Sequence, residues 1–284
     1  MKKPIRPFLR LFFSALALLS FAVSVNAFAQ TQIKEARNLD KFTKIANYTS
    51  GNVYLKQGSP QRVEVEGKKE LVAEVETDVS GGKLKIHMKN NSGSWSWFHN
   101  DNPLNIYITV ENIDEIDLAG SGNLTAQTKL IANNMALSVQ GSGDLDANVE
   151  LTGQLNIDVQ GSGNVDVKGR SQNLKNQVEG SGDVDLTIVV ANQAEFDISG
   201  SGEIKVNGKA QTVQASISGS GTLVADRLEA DKCTLHVSGS GDAQVNVKSQ
   251  LDANVSGSGD ITYRGNPVQV STHSSGSGDI TKVQ

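Results

Sequence analysis

Apolar and polar residues alternate along most of the chain, and the alternation is punctuated by the triplet Gly-Ser-Gly. The triplet occurs nine times, starting at Gly120, Gly141, Gly161, Gly180, Gly200, Gly219, Gly239, Gly257 and Gly276, at intervals of 18 to 21 residues. When the repeats are aligned on the first Gly, the position two before it holds Leu118, Val139, Val159, Val178, Ile198, Ile217, Val237 and Val255. The position four after it holds Leu124, Leu145, Val165, Val184, Ile204, Leu223, Ala243, Ile261 and Ile280. Weaker apolar columns stand four and six before it, through Ile116, Leu137 and Ile157 and through Met135, Leu155 and Leu174. Period-two columns on both sides of a glycine turn predict two short strands per repeat, each burying one face.

A period near twenty residues, with like residues recurring at like positions, predicts a stack of coils in which each coil covers the apolar face of its neighbour. The expected fold is therefore all-β, a single-stranded right-handed parallel β-helix of about twenty residues per coil. A propeller blade needs about twice that period, and the left-handed coil needs a six-residue period that is absent. Thr272, Ser274 and Lys282 occupy inward positions of the final repeat, as expected of a terminal coil with nothing stacked beyond it. Upstream, Val53-Tyr54-Leu55, Val63-Glu64-Val65, Leu84-Lys85-Ile86 and Ile106-Tyr107-Ile108 alternate near Gly and Pro and predict further strands. The expected organisation is a leader at 1–29, a strand-rich region at 30–112 covering the N-terminal end of the stack, and the β-helix at 113–284.

The leader is read from Lys2, Lys3, Arg6 and Arg10, the apolar run from Leu11 to Val25, and the small residues of Ala27-Phe28-Ala29. The run is shorter than the roughly 20 residues of a membrane span. It predicts a cleaved signal peptide with a mature start at Gln30, no transmembrane span after cleavage, and a periplasmic, outer-membrane-associated or extracellular product. The whole chain carries 26 Lys+Arg against 31 Asp+Glu, and loss of the four leader cations leaves 22 against 31, a charge of −9. That balance excludes a basic nucleic-acid binder. One Cys excludes an intrachain disulfide, and aromatics at 5% leave the core to Val, Ile, Leu and Ala.

The run Asn52-Val53-Tyr54-Leu55-Lys56-Gln57-Gly58, then Leu104-Asn105-Ile106-Tyr107-Ile108, and the ladder of Gly-Ser-Gly-Asp follow one another in an exported chain. In these features the sequence resembles the bacterial autotransporter adhesins that carry the head GIN domain, over essentially the whole mature length. The resemblance implies a β-helical adhesin or cell-envelope recognition module facing a cell-surface, glycan or envelope partner, and it brings no catalytic or binding residues with it. The final residues stand within the repeats, with no set of alternating strands long enough for an outer-membrane barrel, so self-translocation is not expected.

Four features invite chemistry. Cys233 and His236 have a Cys-x-x-His spacing, but Cys233 falls in an inward column and His236 in an outward one, so the strand sends them to opposite faces. The residue after each triplet is acidic in six of nine repeats, and Asp144, Asp146, Asp166, Asp183 and Asp185 would form an acidic edge. Calcium is the candidate ion for such an edge, and solvated turn carboxylates are the plainer reading; no cofactor is expected. Trp95, Trp97, Phe98 and His99 lie in a polar, Gly-flanked stretch, either as a cap over the stack or as a contact surface for a sugar or protein. No Ser stands in Gly-x-Ser-x-Gly, and no carboxylate pair is singled out from its repeats, so the chain is not expected to be an enzyme. The alternatives carried forward are a periplasmic structural protein and a polysaccharide-active β-helix enzyme.

Overall fold

The computed structural model describes residues 32–89 and 103–284. The leader, and the segment with Trp95, Trp97, Phe98 and His99, lie outside the described residues.

The alternating repeats form stacked parallel coils, the fold expected. Each coil places one strand before the Gly-Ser-Gly corner and one after it, so two stacks rise side by side. The stack before the corner runs through Glu115–Leu118, Met135–Val139, Gln154–Val159, Asn173–Gly180 and Gln193–Gly200. The stack after it runs through Leu124–Ala126, Leu145–Leu151, Val165–Ser171 and Val184–Val190. In the later coils both parts fall within the continuous strands Glu203–Gly219, Thr222–Gly239 and Asp242–Gly257. Register is like on like: Val159, Val178, Ile198, Ile217, Val237 and Val255 are successive partners across five interfaces. All six are buried. The period-two alternation thus feeds one continuous apolar core, which no single coil could enclose.

The corners show why glycine is required there. A Cβ on Gly163 would lie 2.2 Å from the Gly143 carbonyl oxygen and 2.6 Å from a methyl of Val139. The corner backbones of adjacent coils therefore approach too closely for any side chain. At Gly200 a second reason is added, a φ of +138° that L-residues avoid.

Chain order and stacking order differ at the N-terminal end. The coil made by Lys44–Asn47 and Asn52–Gln57 lies between the coil of Glu115–Leu118 and Leu124–Ala126 and an outer coil of Lys83–Met88 and Asn105–Val110. Its corner is Thr49-Ser50-Gly51 in place of Gly-Ser-Gly. Buried Asn47 stabilises it: its amide donates to the Gly51 carbonyl (3.1 Å), and its oxygen accepts from the Thr49 hydroxyl (2.8 Å) and the Thr49 backbone N–H (3.1 Å). The outer coil is finished by antiparallel strands. Val75–Ser80 pairs with Lys83–Met88, Arg62–Lys68 with Asn105–Val110, and Gln32–Arg37 with Arg62–Lys68. The short helix Lys69–Glu74 buries Leu71 and Val72 beside them. At the opposite end Gln269–Gly276 pairs with Asp242–Gly257, and every one of its residues is exposed, Thr272 and Ser274 included.

One inward column carries an anomaly. Asn176 stands between Ile157 and Phe196, is completely buried, and neither side-chain polar atom has a hydrogen-bond partner. An unsatisfied buried amide costs about 1–3 kcal/mol. Asn176→Leu, similar in shape, is therefore expected to stabilise the fold by about that amount, read as a rise in the denaturation midpoint. The register makes a second prediction. Val178→Asp buries an unpaired charge and is expected to cost more than about 3 kcal/mol, whereas Asp197→Ser, on the outer side of the adjacent strand, should leave the melting temperature nearly unchanged. Equal shifts for the two would refute the assignment of inward and outward columns.

Candidate functional site

The acidic edge is built first from the residue that follows each corner. Its side chain is short and carries an oxygen acceptor, and the next coil presents a backbone N–H one strand spacing away. Asn52 accepts in this way from Asn123 N–H, Asn123 from Asp144 (2.9 Å), Asp144 from Asn164 (3.2 Å), Asn164 from Asp183 (3.3 Å) and Asp183 from Glu203 (3.0 Å). At Thr222 the chain substitutes a backbone bond, Thr222 N–H to the Gly202 carbonyl. The ladder resumes from Asp242 to Asp260 (2.9 Å) and from Asp260 to Asp279 (2.8 Å). Asp and Asn recur here because each ties its coil to the next.

Asp146, Asp166 and Asp185 form the neighbouring outward column and are direct register partners. The Lys168 ammonium stands 3.2 Å from Asp166, and its pKa is raised by that hydrogen bond and by the charges of Asp166, Asp146 and Asp185. The structure thus brings Asp144, Asp146, Asp166, Asp183 and Asp185 together along a shallow cleft of about 280 Å³. Among the described residues no group of three or more His, Cys, Asp or Glu is arranged to hold a metal ion. Cys233 is buried, and burial pushes its thiol up to about 12, while His236 is exposed on the other side of the strand.

A larger depression, not among the sites expected from the sequence, lies on the outer face of the stack that precedes the corner. Ala136 and Ser138, both small and outward, form its floor. Lys83, Glu115 and Asp117 rise on one side, and Asn156, Asp158, Lys175 and Gln177 on the other, around about 580 Å³. Glu115 is clamped by Lys83 (2.5 Å) and Lys44 (3.1 Å), which hold its carboxyl below the usual range against the effect of burial. Lys175 reaches Glu195 at 2.7 Å and Asp197 at 3.8 Å. Asp117 has no such clamp. Burial holds its carboxyl above the ordinary aspartate value, Glu115 and Asp158 add to the effect, and Lys83 opposes it. Its Oδ1 is buried and has no hydrogen-bond partner. The signal for this groove was present in the outward columns. Three places before the corner Gly stand Asp117, Ser138, Asp158, Gln177 and Asp197, and five places before it Glu115, Ala136, Asn156, Lys175 and Glu195.

Fold and site together define a β-solenoid whose outer faces carry polar ladders, a shallow acidic cleft and a larger mixed-charge groove. The family model described as "Putative auto-transporter adhesin, head GIN domain" matches residues 41–198 and again 155–267, and the chain belongs to that family. No curated protein matches the sequence. Among solved structures, a "putative lipid binding protein" from Parabacteroides distasonis is 24% identical with a TM-score of 0.65, covering 90% of this chain and 98% of its own. A "putative adhesin" from Parabacteroides merdae is 19% identical with a TM-score of 0.62, and another from P. distasonis is 22% identical with a TM-score of 0.60, each over the same shares of the two chains. These likenesses establish the fold. Among the described residues no helix is long and apolar enough to cross a membrane.

The state of Asp117 yields a pH test. Its pKa is higher in the folded chain than the ordinary 3.8. Its contribution to stability is therefore fully present below that ordinary value and is lost as pH rises through the folded value. Asp117→Asn is expected to melt above the parent at neutral pH, with the difference shrinking toward about pH 4. A difference independent of pH would show the carboxyl to be well solvated.

Proposed function

We propose that the protein is an exported, non-enzymatic recognition module that presents its outer solenoid faces to a partner at the cell surface or in the cell envelope. The observation that carries this reading is the family match, which runs through the coils themselves and spans most of the described chain. Export is supported by the basic front, the apolar run and the small residues ending at Ala29. A binding role without catalysis is supported by how the acidic residues are used. The corner-following carboxylates are tied to backbone N–H groups of the next coil, and a thiol pushed up to about 12 is not a nucleophile at neutral pH.

Three measurements, on the parent strain and on cells lacking the protein, test the proposal. Mass spectrometry of the exported form is expected to find Gln30 at its N-terminus, and protease added to intact cells is expected to degrade it. Cells lacking the protein should then attach less well to their surface partner. Degradation only after the outer membrane is permeabilised, with attachment unchanged, would instead make it an internal structural component of the envelope. An intact Met1 in the membrane fraction would overturn export as a cleaved protein.

A further inference from the structure

The groove over Ala136 and Ser138 gathers donor and acceptor side chains from several coils around one cavity. Its volume of about 580 Å³ falls within the few hundred to a thousand Å³ of typical small-ligand sites. Its shape has a plain origin: two small outward side chains in one coil stand between larger polar ones, Glu115 and Asp117 on one side and Asn156 and Asp158 on the other. Asp117 lines the groove and is not clamped by a lysine as Glu115 is, so its carboxylate can accept from a donor brought into the groove, although its Oδ1 is itself shut away from solvent. Across the floor, Asp158 Oδ2 accepts from Gln160 at 2.9 Å.

Charge narrows the ligand. An anion would meet Asp117 and Asp158, and a cation would meet Lys83 and Lys175, so neither sign of net charge is favoured. The two lysines are themselves held by Glu115 and by Glu195, which keeps them on the walls rather than free to neutralise an anion. What the remaining groups match is an uncharged molecule rich in groups that both donate and accept. Hydroxyls can donate to the two carboxylates, and they can accept from and donate to the amides of Asn156 and Gln177.

We propose that this groove binds a short segment of a neutral carbohydrate, with hydroxyl groups donating to Asp117 and Asp158 and exchanging hydrogen bonds with Asn156 and Gln177. The proposal deepens the recognition reading above and rests on it for its biological meaning. The binding itself is tested on the purified mature chain.

Titration calorimetry with neutral hexose and N-acetylhexosamine oligomers, alongside uronic acid oligomers and a lysine-rich peptide of similar length, is expected to find a neutral oligomer binding with a Kd below about 1 mM and tighter than either charged probe. Asp117→Ala should weaken that binding about tenfold or more, the loss of one charge-assisted hydrogen bond. Ser138→Trp, which fills the floor from its outward side, should abolish it. Ser216→Trp places the same side chain in the same outward column beyond the groove, and it should bind as the parent does; melting curves of both Trp variants show that they are folded. Failure of all neutral oligomers to bind, preference for a charged probe, or binding by a folded Ser138→Trp equal to that of the parent would overturn the proposal. Cells carrying Ser138→Trp separate the two readings. Attachment retained in that strain but lost in cells without the protein would sink the groove and leave the recognition function standing elsewhere on the solenoid.

Discussion

The structure depends on how closely the coil corners approach one another. With a carbonyl oxygen 2.2 Å from where a Cβ of Gly163 would sit, the corner column tolerates only hydrogen as a side chain. That contact locks the vertical position of each coil. Once it is set, the strands on both sides are carried into register, and each inward residue lands on its counterpart below. In a period-two strand a slip of one residue would turn the whole apolar set outward. The corners exclude that error nine times over, and the Asp and Asn ladder beside them adds one side-chain hydrogen bond at most coil interfaces.

The same contact explains how the chain can stack out of order. The corner Thr49-Ser50-Gly51 keeps Ser-Gly and has Thr in place of the first Gly, where Asn47 and Thr49 satisfy each other and Gly51. A coil arriving early in sequence can then take its place between two that come later, because the stack recognises corner geometry and edge pairing rather than chain order. The outer N-terminal coil, no longer required to accept a further parallel neighbour, is closed by antiparallel strands and a short helix.

Because register holds residues in columns, the outer surface is organised too, and chemistry there arises from differences between coils. The carboxylates next to the corners serve cohesion, so their abundance alone says little about binding. One column further along the strand, Asp146, Asp166 and Asp185 repel one another in solvent, relieved by Lys168. On the opposite stack Ala136 and Ser138 are smaller than the polar residues of the coils on either side, and a groove opens over them with Asp117 in its wall. A repeat protein gains a distinct site where its repetition lapses.

The sequence by itself determined the strands, their inward and outward faces, the coil length and the place of every Gly-Ser-Gly corner, because alternation and turn chemistry are local and the repeat displays them many times. It also placed Cys233 in the core and His236 outside it by register alone. The order of stacking at the N-terminal end was less accessible, although Ser50-Gly51-Asn52-Val53 matches Ser121-Gly122-Asn123-Leu124 and marks the extra corner. Which neighbours that coil would take depends on pairing between residues far apart in the chain. The structural role of the corner carboxylates belonged to the tertiary structure alone, and so did the depth of the groove beside Asp117, of which the aligned outward columns carry only the small residues Ala136 and Ser138. Both are relations between adjacent coils, and the depth of a surface or the partner of a carboxylate is set by what stands one strand spacing away rather than by the residues next in sequence.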